Sequence, residues 1–121
     1  MRWVRVHNRS QGTVIAERAR HATGLWERLV GLLGTVELER GRGLVLEPCN
    51  SVHMFGMRYA IDVLFLDSEG LVVHIAEGLR PWRMTKVVRG ARFAVELPVE
   101  AVKSAATVVG DEMYLEAIVD E

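Results

Sequence analysis

The chain has 121 residues, half of them apolar, and its 15 Lys and Arg against 16 Asp and Glu leave a net charge of −1. That length suits one domain, residues 1–121, built on one core, and the charge balance argues against the broad basic footprint that a phosphate backbone selects, so no DNA partner is expected. No run of about 18 apolar residues is present, and Met1-Arg2-Trp3-Val4-Arg5-Val6-His7 lacks the apolar stretch of an export signal. The expectation is a cytoplasmic chain with no membrane partner.

The single cysteine, Cys49, excludes an internal disulfide, so packing alone holds the fold and the thiol stays free in a reducing compartment. Trp3 to Val6 and Thr13 to Ala16 flank the turn residues Arg9-Ser10-Gln11-Gly12, which predicts an opening hairpin. Thr23 is the expected cap of a short helix over Gly24 to Leu33, where Leu25, Leu29 and Leu32 recur at helical spacing and Gly31 and Gly34 limit its length. Leu44-Val45-Leu46 reads as a strand that ends at Pro48, because proline cannot donate to a ladder.

The apolar runs Ile61 to Leu66 and Leu71 to Ile75, joined by Asp67-Ser68-Glu69-Gly70, predict a β-hairpin with glycine free to take a positive φ. Phe93 to Leu97 is a further strand stopped at Pro98, Val99 to Ala106 a short helix, and Met113 to Ile118 a last strand after the turn at Gly110-Asp111. About seven short strands and two short helices make the chain mainly β: a compact antiparallel β-sandwich or a partly closed barrel. The helices are too short and too few for the alternating pattern that a parallel sheet needs.

Gly24-Leu25-Trp26-Glu27-Arg28-Leu29-Val30-Gly31-Leu32-Leu33-Gly34, then Pro48-Cys49-Asn50-Ser51-Val52-His53-Met54-Phe55-Gly56-Met57-Arg58, then Ile61-Asp62-Val63-Leu64-Phe65-Leu66-Asp67 resemble the domain of unknown function 192 family. The resemblance continues through Pro81-Trp82, Glu96-Leu97-Pro98 and Gly110-Asp111. It implies a small, mostly antiparallel β-sandwich or barrel and no established activity. At Val99-Glu100 the chain departs from the pattern, since the resemblance implies Ala-Gly after the Glu-Leu-Pro.

Three groups of residues carry candidate chemistry. Cys49, His53 and Met57 are four apart and return to one side of the backbone; in a straight strand Cys49 and His53 stand about 13 Å apart, so a shared ion requires a turn there. A blue-copper arrangement needs a second histidine, with His7 and His21 available, and a cysteine enzyme needs Cys49 activated by His53 with Asp62 or Glu96 orienting the imidazole. The simpler expectation is that Cys49 and Met57 pack in the core while His53 bonds a neighbour.

Asp62 interrupts an apolar strand, and a carboxylate buried there must be paired or accept several hydrogen bonds. Arg28 or Arg58 is the expected partner, in a structural ion pair rather than as a catalytic acid. Arg80, Arg83, Lys86, Arg89 and Arg92 form a run of cations without an intervening carboxylate. That run suits an anionic ligand or an RNA backbone, although a solvated loop is the more ordinary reading, with Trp82 as a plug over the core.

Together these features predict a non-enzymatic binding or accessory domain without cofactor or metal, monomeric or weakly dimeric, that takes an unknown small ligand or protein partner. The shallow site expected for it comprises Arg28, Cys49, His53, Met57, Arg58, Asp62 and Trp82. The alternative is a cysteine-dependent enzyme or a copper-type metal protein using Cys49, His53 and Met57.

Overall fold

A computed structural model describes residues 2–119. The strands are β1 (Arg2–Asn8), β2 (Thr13–Ala22), β3 (Arg42–Leu46), β4 (Ile61–Leu66), β5 (Val72–Leu79), β6 (Phe93–Pro98) and β7 (Met113–Ala117). Helix α1 (Leu25–Val30) follows β2, and helix α2 (Ala101–Ser104) follows β6. The strands form one curled sheet in the order β5-β4-β6-β3-β2-β1-β7, a half-barrel. The expected mainly β fold with two short helices is thus found in its partly closed form.

The curl brings the two edge strands together at one end. Leu71 and Glu112 form an isolated antiparallel bridge, Val72 N–H donates to the Asp111 carbonyl at 2.9 Å, and Met113 N–H donates to the Gly70 carbonyl at 2.9 Å. Gly70 sits at φ 89°, and a Cβ there would lie 2.6 Å from the Met113 carbonyl oxygen, so only glycine lets the edges meet.

Side chains alternate across the pleat, so strands β2 to β6 feed two apolar layers while β1 and β7 feed one. The inner layer draws on all seven strands, among them Val6, Ala19, Val45, Leu64, Val72, Val95 and Met113, and α2 caps it with Val102. The outer layer holds Leu44, Leu46, Val63, Phe65 and Ala94. It is covered by Val52, Met54 and Met57 from the segment after β3, and by Val88 from the segment after β5. Backbone bonds lace these covering segments together: Met54 N–H to the Arg83 carbonyl at 2.8 Å, Trp82 N–H to the Met54 carbonyl at 2.9 Å and Thr85 N–H to the Val52 carbonyl at 2.9 Å.

Three local expectations are corrected. β2 and β3 pair in parallel, from Arg18 opposite Arg42 to Ala22 opposite Leu46, so one crossover carrying only the short α1 suffices where a longer helical pattern was expected. Helix α1 begins one residue later than the Thr23 cap implied, with Gly24 as its N-cap and the Glu27 carboxylate accepting the Gly24 N–H at 3.2 Å. Helix α2 is confined to Ala101–Ser104, because Glu100 before it adopts a left-handed φ of 76°.

Candidate functional site

Where α1 crosses from β2 to β3, the outer layer is left incompletely filled. A cavity of about 180 Å³ opens there between α1, the end of β3, the Pro48–Met57 segment and β6. Its walls include Arg28, Leu29, Cys49, His53, Met57 and Glu96.

Glu96 is the unusual group. On β6 it lies between Leu44 of β3 and Val63 of β4, in the middle of the sheet and on its outer face. It is only 6% exposed, and its carboxyl makes no hydrogen bond or ion pair with any described residue. Burial pushes its pKa up to about 7, because no neighbouring charge offsets the lost hydration. Glu96 is one of the residues that line the cavity, so a small molecule filling that space would adjoin it.

Arg28 contributes a second unsatisfied group. One terminal nitrogen donates to the Pro48 carbonyl at 3.2 Å, while its Nε is buried without a partner. A buried donor left unbonded costs free energy comparable to a hydrogen bond, so this one marks a place where a ligand acceptor would be stabilised.

Cys49 is a protonated thiol here. Burial pushes it above its ordinary pKa, and the nearby Glu96 adds to the rise while Arg28 opposes it. The thiol donates to the Ser51 carbonyl at 3.1 Å, and His53, exposed at the surface, stacks on Phe55 with ring centroids 5.0 Å apart instead of bonding the sulfur. An activated nucleophile needs the opposite arrangement: a lowered pKa and a base at hydrogen-bond distance. The second histidine of a copper site is equally remote in its bonding, with His7 on Glu116 and His21 on Glu47, each at 2.8 Å. Among the described residues no three His, Cys, Asp or Glu side chains are grouped to hold a metal ion.

The structure therefore places four of the sequence-predicted residues, Arg28, Cys49, His53 and Met57, around one cavity and three elsewhere. Asp62 is on the opposite face of the sheet, 1% exposed, where it accepts Gly78 N–H at 2.9 Å and Val102 N–H at 3.2 Å. Two backbone donors, and not Arg28 or Arg58, satisfy it. Arg58 is exposed outside the cavity. Trp82 is 68% exposed and stacks on Phe55 at 6.2 Å, so it is not a plug over the core. Arg92, at the end of the cationic run, is bonded to Glu47 at 3.3 Å.

From the sequence, Glu96 is expected only as one of two residues that could orient His53. Its signal, a carboxylate within Phe93-Ala94-Val95-Glu96-Leu97, is the same as that of Asp62, but alternation on a strand ordinarily assigns such a residue to the solvent face. Only the covering segments bury it.

Comparison with known proteins adds a family and a fold. The family model DUF192, described as "Uncharacterized ACR, COG1430", matches residues 6–115. A UPF0127 protein of Thermococcus sibiricus is 33% identical over 110 residues, covering 88% of this chain and 71% of that protein. A UPF0127 protein of Pyrococcus abyssi is 41% identical over 63 residues, 52% of this chain and 53% of its own length. A solved protein of unknown function from Novosphingobium aromaticivorans superposes with a TM-score of 0.79 at 19% identity, covering 93% of this chain and 83% of its own. A solved protein from Sinorhizobium meliloti, described as "a putative transcription regulator", superposes with a TM-score of 0.77 at 21% identity, covering 94% of this chain and 92% of its own. These structures share the fold. No described helix is long and apolar enough to cross a membrane.

Proposed function

The chain belongs to the DUF192 family, whose description assigns no activity, and from its cavity we propose that it is a small-molecule binding domain rather than an enzyme. The observation that carries this is Glu96, a carboxyl buried in the sheet without a partner among the described residues and lining a space of about 180 Å³. A pocket of roughly 150 Å³ accepts benzene, so the ligand is a compact molecule of about that size. Leu29 and Met57 offer it apolar contact, Glu96 accepts from its donor group, and the free Nε of Arg28 donates to its acceptor. A primary amide or a similar planar group joined to a small apolar body has that chemistry.

The raised thiol pKa of Cys49 and the outward stacking of His53 favour binding over cysteine catalysis. A reducing cytoplasm, which keeps Cys49 a thiol, suits the same reading. Benzamide titrated into the protein tests it by amide spectra. Shifts confined to the α1, Cys49–Met57 and Glu96 segments are expected, and affinity falls by about tenfold in Glu96→Leu, the loss of about one hydrogen bond. Spectra unchanged across benzamide and a panel of fragments of similar size would sink the proposal.

A further inference from the structure

A second feature lies beside the cavity, on the outside of the molecule. Helix α1 buries none of its residues, and Leu25, Trp26 and Leu29 are 66, 76 and 61% exposed. Six residues of helix are marginal in water without packing, and Glu27, Arg28 and Val30 are only half-buried, so the exposed apolar side of α1 calls for a partner. Trp82 makes the same point on the neighbouring turn. It exposes 68% of its surface from a backbone at φ 69°, and a bulky residue in the left-handed region is strained. Strain and hydration both oppose that display.

The chain just after α1 meets the turn on which Trp82 stacks. Leu33, just after α1, packs against the Phe55–Gly56 turn, its Cδ2 lying 3.3 Å from where a Gly56 Cβ would stand. The Thr35 hydroxyl bonds the Tyr59 hydroxyl at 2.7 Å, and Phe55 carries the Trp82 ring. Arg58, Arg80, Arg83 and Lys86 border this surface in sequence. All four are exposed, and none has an ion pair among the described residues, in contrast to Arg92 on Glu47.

We propose that this face docks on an anionic membrane surface, with Trp26 and Trp82 entering the headgroup layer and the four cations lying against lipid phosphates. Exposed indoles flanked by Lys and Arg have the amphipathic character that binds at a bilayer interface. A second copy of the chain is a poorer occupant, because self-pairing through this face sets the same cations against each other. Single-stranded RNA would use ring faces and cations but leave Leu25 and Leu29 in water. The contact is peripheral, and it adjoins the cavity, whose walls include Leu25 and Leu29.

Vesicle flotation of the full chain, with no small ligand added, tests it. The protein is expected to float with phosphatidylcholine vesicles containing phosphatidylglycerol, to float little with phosphatidylcholine alone, and to be released in about 1 M salt, where the Debye length falls to about 3 Å. Trp26→Gln combined with Trp82→Gly should cut binding at least about tenfold. Neither ring lines the cavity and glycine suits the left-handed turn, so an unchanged unfolding midpoint keeps the variant interpretable. If the double variant is destabilised, Arg80→Glu with Arg83→Glu replaces it, with the same loss expected. No flotation with either vesicle, equal flotation with both, or undiminished flotation of the variants overturns the proposal. Retention of labelled oligouridine in place of vesicles overturns it in favour of RNA.

Discussion

Asp62 and Glu96 are two buried carboxyl residues on adjacent strands of the same sheet, one register step apart, yet they do different things. Asp62 stands opposite Leu97 and points to the inner layer, while Glu96 stands opposite Val63 and points to the outer one. Asp62 meets two backbone donors, one at Gly78 beside a register shift in β5 and one at Val102 in the first turn of α2. Glu96 meets no donor from the described residues. Burial of a carboxyl is therefore no guide to its role, and the partners decide: the satisfied one ties elements together, and the unsatisfied one waits for something that is not part of the fold.

The largest test of this contrast is Asp62→Ala. It leaves the buried Val102 N–H without an acceptor, at about 1–3 kcal/mol, and gives up the part-buried bond from Gly78 as well, so a loss of about 3 kcal/mol or more is expected in urea unfolding. Ligand binding by surviving folded protein should be unaffected, because Asp62 does not line the cavity. A loss below about 1 kcal/mol would show that the two donors find other acceptors, and the contrast with Glu96 would collapse.

Glu96→Gln should act in the other direction and depend on pH. The folded protein holds the Glu96 proton up to about pH 7, whereas the unfolded chain releases it near the ordinary value of 4.5. Between those values the native state binds more protons, so stability falls as pH rises from about 4.5 and levels off above about 7. At 1.36 kcal/mol per unit the full loss is on the order of 3 kcal/mol. Glu96→Gln removes it, so the variant is expected to match the parent at pH 4 and exceed it by about that amount at pH 8. The same substitution should speed alkylation of Cys49, whose thiol Glu96 helps to hold protonated. A parent protein whose stability is flat from pH 5 to 8 would mean that Glu96 has a partner in solution.

The two carboxylates also mark what the residues reveal on their own. The β4–β5 hairpin is legible because apolar runs and the Asp67–Gly70 loop are local signals, and Asp67 itself accepts Leu71 N–H at 3.0 Å to close that loop. The need to satisfy Asp62 is legible too, but its partners are not, since Gly78 and Val102 lie 16 and 40 residues away. The parallel β2–β3 pair escapes notice because the helix that crosses between them is shorter than the pattern of a parallel sheet suggests. Cys49, His53 and Met57 share a cavity, but spacing alone gives neither its fourth wall at Glu96 nor the outward turn of His53 onto Phe55.

The smallest expected effect sharpens the Asp62 half of the contrast. Glu100 holds φ 76° immediately before α2, and that turn delivers the Val102 N–H to Asp62. A left-handed conformation costs a non-glycine residue roughly 1–2 kcal/mol, and the family resemblance implies glycine at this position. Glu100→Gly should therefore stabilise the fold by about 1 kcal/mol, the relief exceeding the extra flexibility of the unfolded chain. It should leave ligand binding unchanged, because Glu100 does not line the cavity. Combined with Asp62→Ala the gain should shrink, since a relaxed turn that no longer presents its N–H to an acceptor has less to stabilise; full additivity would show that the turn and the carboxylate act separately.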